Sequence, residues 1–382
     1  MKIGILLPYK ENFSPEYPGA VSLFVYETSR KSKYKKNIVV FGNTNFSKRF
    51  NIKYSNINLS KNILSSQTKD YVNKFIILQK KYNFSIIEVH NRPSYINQLN
   101  EKIPNSIFSL YFHNDPLSMD GSKTIKERKK LLKICYKIIF NSNWSKKRFL
   151  EGLENKFVNS NKLAVFFQSA QKSNLNIIKR KKNWITFVGK LNKAKGYDIF
   201  AQSIKQVLKK FPQWRAKVIG DEKREKIELI DKNADLLGFV NHNEVIKVFK
   251  KSSITVACSR WEEPFGRTSL EASANGCAVI ITNKGGLPET ITNARILTRL
   301  SVKNLTKEIS RLILNKDLRK KLQTLSIKNF YLTHKYVTKM IDNYRDEKLQ
   351  LNRIFYTKKI RNSLRILHIT NFNERLDGRL FF

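Results

Sequence analysis

Residues 252–289 read SSITVACSRWEEPFGRTSLEASANGCAVIITNKGGLPE, and the alternation within them decides the fold. SSITVACS is a short apolar run rich in β-branched residues, and CAVIITN, 277–283, is another. Between them Pro264 and Gly266 keep a helix from running through WEEPFG, so the helical stretch starts at Arg267 and runs to Asn275, where Gly276 closes it. Strand, helix and strand within some 30 residues make a crossover unit. Runs apolar on every position belong to a parallel sheet covered on both faces.

Outward from this unit the pattern repeats. KIGILLP, NIVVFGN, FSIIEVH, SIFSLYFH and KIIFNS precede it, and WITFVGK and AKVIGD stand closer, each separated from the next by lysine-rich amphipathic stretches. The chain therefore reads as α/β with two Rossmann-like domains, as 382 residues exceed what one core supports. SAQKSNLNIIKRKKNW, 169–184, is basic and lacks either period, which puts a linker at 169–183. The expected organisation is an amino-terminal domain over 1–168, a carboxyl-terminal domain over 184–333 and a closing helix over 334–363 that returns to the first domain. In the tail, 364–382, LRILHITNFNERLDGRLFF resembles the opening MKIGILLPYKENFSPEYPGAVSLF and reads as the start of a second, truncated unit, or as one extra strand.

The formal net charge of +43 invites a nucleic-acid reading, yet lysine is spread over nearly every segment. Compositional bias explains this first, an anionic membrane surface second and nucleic acid third. No apolar run approaches the length of a membrane span, and MKIGILLPYKENF reads as a first strand. Cys135, Cys258 and Cys277 lack metal-ligand spacing and are expected to be reduced and buried, which suits the cytoplasm.

In a doubly wound sheet the ligand crevice lies beyond the carboxyl ends of the strands. The free N–H groups around Gly266, Arg267, Thr268 and Ser269 would form a helix N-terminus suited to a phosphate. Glu271, one turn on, could reach a ligand hydroxyl beside it, and Glu263 could reach from the other side of the break. FVGKLNKAKG places Lys190 and Lys195 between Gly189 and Gly196 on a second strand-end loop, cations suited to a diphosphate. The chemistry implied is a nucleoside diphosphate carrying a group. Each residue has a plainer reading: solvated carboxylates, one more surface lysine, a strand-end histidine bonded to a loop, an ordinary turn glycine. Gly285 and Gly286 read as a tight turn, with Glu289 capping the next helix in preference to facing the carried group.

EEPFGRTSLEASANGCAVIITNKGGLPE, together with FVGKLNKAKGYDIF, resembles the retaining GT-B glycosyltransferases of family four, most closely from Trp184 to Glu289. The resemblance implies transfer of a sugar from a nucleotide-sugar donor to a hydroxyl of a glycan or lipid-linked glycan, as in polysaccharide biosynthesis. It implies that Glu263 contacts the donor sugar, Glu271 the ribose, and Lys195 with Lys190, where the family usually has Arg, the diphosphate. SPEYPGAVSLFVYE resembles the family's glycine loop, with Gly19 letting backbone approach the ligands and Ala20 in place of a second glycine. His113 of YFHND is implied beside the transferred sugar, as a catalytic residue with Glu263, and His90 of EVHNRP on the acceptor side. No metal or cofactor is implied, since HNDP is not the carboxylate pair that holds a divalent ion in the other major glycosyltransferase fold. A cytoplasmic enzyme touching the inner face of the membrane is the expected setting, without nucleic-acid partners. A non-catalytic nucleotide- or sugar-binding protein of the same fold is the alternative.

Overall fold

The structure, a computed structural model, describes residues 2–59, 66–222, 224–225, 227–291 and 293–347. The repeated tail motif at 364–382 lies outside the described residues, as does the end of the expected closing helix.

Two parallel sheets form. The first contains β1 (Ile3–Leu6), β2 (Ile38–Gly42), β3 (Tyr54–Asn56), β4 (Ile86–His90), β5 (Phe108–Phe112), β6 (Lys137–Phe140) and β7 (Leu163–Val165), in the order β3-β2-β1-β4-β5-β6-β7. The second contains β8 (Lys182–Val188), β9 (Arg215–Ile219), β10 (Ala234–Leu236), β11 (Ser252–Ala257), β12 (Ala278–Thr282) and β13 (Arg295–Leu297), in the order β10-β9-β8-β11-β12-β13. Every pairing is parallel. Successive side chains of a strand point to opposite faces, and each sheet accordingly has a core on either side. Leu6, Val39, Val89 and Leu110 pack on one face of the first sheet, and Ile3, Ile5, Val40 and Ile139 on the other. Ile185, Val218, Ile254 and Ile280 do the same in the second sheet, opposite Ile219, Val279 and Ile281.

The nine apolar runs of the sequence all become strands. Four more, β3, β7, β10 and β13, were not expected; each is three residues long and each closes one edge of a sheet. Strand order reverses between β1 and β4 in the first sheet and between β8 and β11 in the second, and these switch points open crevices at the strands' carboxyl ends.

Two crossings join the domains side by side. In the expected linker, the Ala170 N–H donates to the Leu332 carbonyl at 3.0 Å, so the outgoing chain pairs with the returning one. A short 3₁₀ turn, Leu175–Arg180, follows, and β8 begins at Lys182. The helix at 334–347 packs Val337, Ile341 and Tyr344 into the first domain's core, together with Phe265 and Leu270 of the second. Its Arg345 is fully buried and grips both carboxylate oxygens of Glu88 on β4, at 2.8 and 2.7 Å, while a third contact reaches Asp342 at 3.0 Å. Cys135, Cys258 and Cys277 are buried and unpaired.

Candidate active site

A cavity of about 260 Å³ lies where the two switch points face each other. Its second-domain wall comes from the loop between β11 and the helix Arg267–Ala274, with Gly189 at the end of β8; its first-domain wall comes from Ala20, His113, Asn114 and Asn141.

Glu263 and Lys195 meet on the second-domain wall as an ion pair, joining the two strand-end loops directly. Two glycine contacts make this possible. Gly196 has φ +72, and a Cβ there would fall 2.0 Å from the Cys258 carbonyl oxygen, so only glycine lets the lysine loop press on the end of β11. Gly285 has φ +57, and its Cβ would fall 2.2 Å from the carbonyl oxygen of Glu263. The Gly286 N–H donates to that same oxygen at 2.6 Å, so the Gly285–Gly286 turn is the shelf on which the Glu263 backbone rests.

The helix Arg267–Ala274 opens onto the cavity, with Gly266, Arg267, Thr268 and Ser269 in its lining. Its first N–H groups have no partner within the helix. Ser269 Oγ donates to the Gly266 carbonyl at 2.8 Å, tightening the first turn. Arg267 stands at the start of this turn with Nη1 buried and without a hydrogen-bond partner. Its Nε lies 2.6 Å from Glu271 Oε1.

Glu271 itself is 4 % exposed and does not line the cavity. Besides Arg267, its Oε1 meets His242 Nε2 at 2.8 Å. Burial by itself would raise this carboxyl, but Arg267 and His242 outweigh it and hold it at about 2, so it is ionised and caged. His242, the first residue of the helix His242–Lys251, was missed from the sequence because nothing in VNHNE distinguishes a ligand of Glu271 from a helix-start residue. Lys190 is exposed and outside the cavity lining.

On the first-domain wall, His113 follows β5 and is 7 % exposed, and His90, which ends β4, lies behind it with Nδ1 3.0 Å from His113 Nε2. His90 is 2 % exposed and outside the cavity lining. Gly19 precedes the helix Ala20–Lys31 with an ordinary φ of −83°, so its need for glycine is one of space: a Cβ would fall 2.2 Å from Glu11 Oε1. Glu11, absent from the sequence reading, accepts from the Ser22 N–H at 2.8 Å and caps that helix; its carboxyl is raised by burial, against the lowering effect of Ser22 and Arg92. Glu289 caps a helix, but not the next one: its oxygens accept from the Asn143 and Trp144 N–H groups at 2.7 and 2.8 Å, at the start of the first-domain helix Asn143–Leu150. It thereby ties the two domains together, as does Ser142 Oγ, which donates to the Pro264 carbonyl at 2.6 Å.

Residues 169–328 match the model of the family described as glycosyl transferases group 1. Spore coat protein SA of Bacillus subtilis is 28 % identical over 243 residues, which cover 56 % of this chain and 63 % of that protein. The chain thus spans less than two thirds of that relative. Among solved structures, Anabaena Alr3699/HepE in complex with UDP-glucose has a TM-score of 0.70 at 16 % identity over 92 % of this chain and 100 % of that one. A glycosyltransferase from Rickettsia africae has 0.68 at 21 % identity over 91 % and 99 %. The two facing parallel-sheet domains are thus a GT-B fold, and residues 169–328, which carry the cations and the Glu263 carboxylate of the cavity's second wall, are the part of the chain similar to the glycosyl transferases group 1 family.

Proposed function

We propose that this chain is a glycosyltransferase of the nucleotide-sugar-dependent kind, with the nucleotide on the second domain and the acceptor hydroxyl presented from the first. The observation that carries it is the make-up of one wall. A helix N-terminus, Lys195 and the unpartnered Nη1 of Arg267 gather at the mouth of a strand crevice beside the carboxylate of Glu263. Cations and a helix end suit a diphosphate, and a carboxylate suits the hydroxyls of a sugar attached to it. UDP-glucose in the Anabaena neighbour supports the donor class.

In this reading the bond from the sugar's anomeric carbon to the diphosphate oxygen breaks, and the acceptor oxygen bonds to that carbon from the same face, which retains configuration. The leaving diphosphate takes the acceptor's proton, so no separate base is required. Lys195 and the start of the helix at Gly266 stabilise the charge that develops on the diphosphate, in place of a divalent ion. Glu271 holds Arg267 in place and takes the ribose when the cage with His242 opens. The acceptor is a glycan or lipid-linked glycan, and contact with an anionic inner leaflet is proposed for the cytoplasmic protein. No helix among the described residues is long and apolar enough to cross a membrane.

Thermal shift with a panel of nucleoside diphosphates and nucleotide sugars, followed by transfer assays with and without EDTA, tests this. A matching nucleotide should raise the melting temperature by mass action. In Glu263→Gln the diphosphate should still bind, while transfer falls by about a hundredfold or more. Binding without transfer for any sugar would favour the non-catalytic alternative. Activity lost in EDTA and restored by magnesium would overturn the metal-free mechanism.

A further inference from the structure

Behind the cavity wall the two histidines share one contact and leave two nitrogens alone. His90 Nδ1 and His113 Nε2 are 3.0 Å apart, while His90 Nε2 and His113 Nδ1 are both buried without a hydrogen-bond partner. The surroundings hold the pair rigid. Asn91, whose φ of +53° is rare outside glycine, accepts from the N–H groups of His113 and Asn114 at 3.1 Å each, and Asn141 Nδ2 donates to the His113 carbonyl at 3.0 Å. Tyr111 stacks on His90 with 4.4 Å between ring centres and 9° between planes.

Burial lowers both imidazoles, His113 to about 3 and His90 well below its usual value with help from His113 and Arg345, so each ring carries one proton at neutral pH. The contact between them then holds a single N–H, and two arrangements are open. If His113 donates, the leftover proton sits on His90 Nε2, sealed behind the wall where no ligand can reach it. If His90 donates, the leftover proton sits on His113, the residue that lines the cavity. A buried donor without an acceptor is the costlier orphan, and only the second arrangement puts that donor on a residue that lines the cavity.

We propose that His90 is a positioning residue: its Nδ1–H fixes His113 as the Nδ1–H tautomer, which makes His113 a neutral hydrogen-bond donor to an oxygen of the molecule that fills the cavity. Taking that oxygen as a sugar hydroxyl rests on the glycosyltransferase reading; the tautomer itself does not. The arrangement also makes His90 and His113 one unit, so that a change at the first alters what the second presents.

The test is a long-range proton–nitrogen correlation spectrum of the full chain with ¹⁵N-labelled histidine, in the absence of ligand. His113 should show its proton on Nδ1. In His90→Leu, which offers no donor, that proton should move to Nε2; in His90→Asn, whose amide nitrogen can occupy the place of Nδ1, it should stay. With the matching nucleotide sugar, kcat/KM should fall about tenfold in the leucine variant, the loss expected for one misdirected hydrogen bond, and recover most of this in the asparagine variant. A wild-type His113 protonated on Nε2, or a leucine variant whose His113 signals are unchanged, overturns the proposal. The spectral result alone, with no transfer to any acceptor, would sustain the tautomer assignment and remove the glycosyltransferase reading instead.

Discussion

Glu271 shows how one side chain can be read correctly as to its neighbourhood and still be in an unexpected state. Its place one turn inside a helix at a strand crevice is legible from the spacing after Gly266. Its cage is not, because His242 stands 29 positions away and approaches only through the packing of two helices. The cage has a pH signature. The carboxyl is depressed to about 2 in the folded chain from an unfolded value of 4.5, so its contribution to stability is present above pH 4.5 and is lost as pH falls towards 2. Acid unfolding of the wild type should show this loss, and Glu271→Gln should flatten that limb while lowering stability near neutrality. An acid limb of unchanged slope would mean that Glu271 is not held ionised. Gly196 and Gly285 teach a related lesson: turn glycines are recognisable in sequence, but their purpose, close approach to Cys258 and Glu263, appears only in three dimensions.

At the scale of elements, what was legible followed burial. The strands recognised in the sequence are those flanked by other strands, where both faces are covered, as in β12, Ala278–Thr282, which is buried at every position and apolar at all but the last. The four edge strands have half-exposed patterns and only three residues each; Tyr54–Asn56 has no buried position at all. Half-covered strands need no apolar run, so composition carries no sign of them. Glu289 makes the same point for caps. An acidic residue beside a helix start is a recognisable signal, but the helix it caps belongs to the other domain, 146 residues away. Glu289→Ala should lower stability by about 1–2 kcal/mol in urea unfolding, the usual worth of a cap, and should widen the ligand-free molecule in small-angle scattering. Glu289→Gln, which keeps an accepting oxygen, should lose less. An alanine variant with an unaltered midpoint and an unaltered radius of gyration would show that the two domains are held by other contacts.

For the whole molecule the decisive element is the returning helix at 334–347. Arg345 carries its charge into a site where its side chain is 2 % exposed and that of Glu88 is 1 % exposed. Removing one partner of such a pair leaves a buried, uncompensated charge, so Arg345→Met should cost about 3–5 kcal/mol, and adding Glu88→Gln should restore much of it. Equilibrium unfolding of the two variants checks this; equal losses in both would mean that packing, and not the unpaired carboxylate, accounts for the effect. Charge is distributed very differently elsewhere. The +43 excess is spread over the chain, and paired carboxylates such as Glu154 and Asp235 each serve two basic neighbours.

By itself the sequence determined the α/β class, the nine central strands, the break at Pro264–Gly266 and the cluster of cations and carboxylates on the second domain. Each is set by local composition: continuous apolar runs, a residue that cannot continue a helix, and motif residues within a few positions of one another. Only the tertiary structure decided that Lys195 pairs with Glu263, that His242 and Arg267 enclose Glu271, that Glu11 fills the space beside Gly19, and that His90 backs His113. Apart from Arg267 and Glu271, which are one turn apart on the same helix, these partners come together across 8 to 68 positions of chain, and no local pattern of residue types encodes which of many possible neighbours a buried polar group will meet there. Burial then forces the choice, since a polar group removed from water must find a partner among whatever the fold has placed beside it.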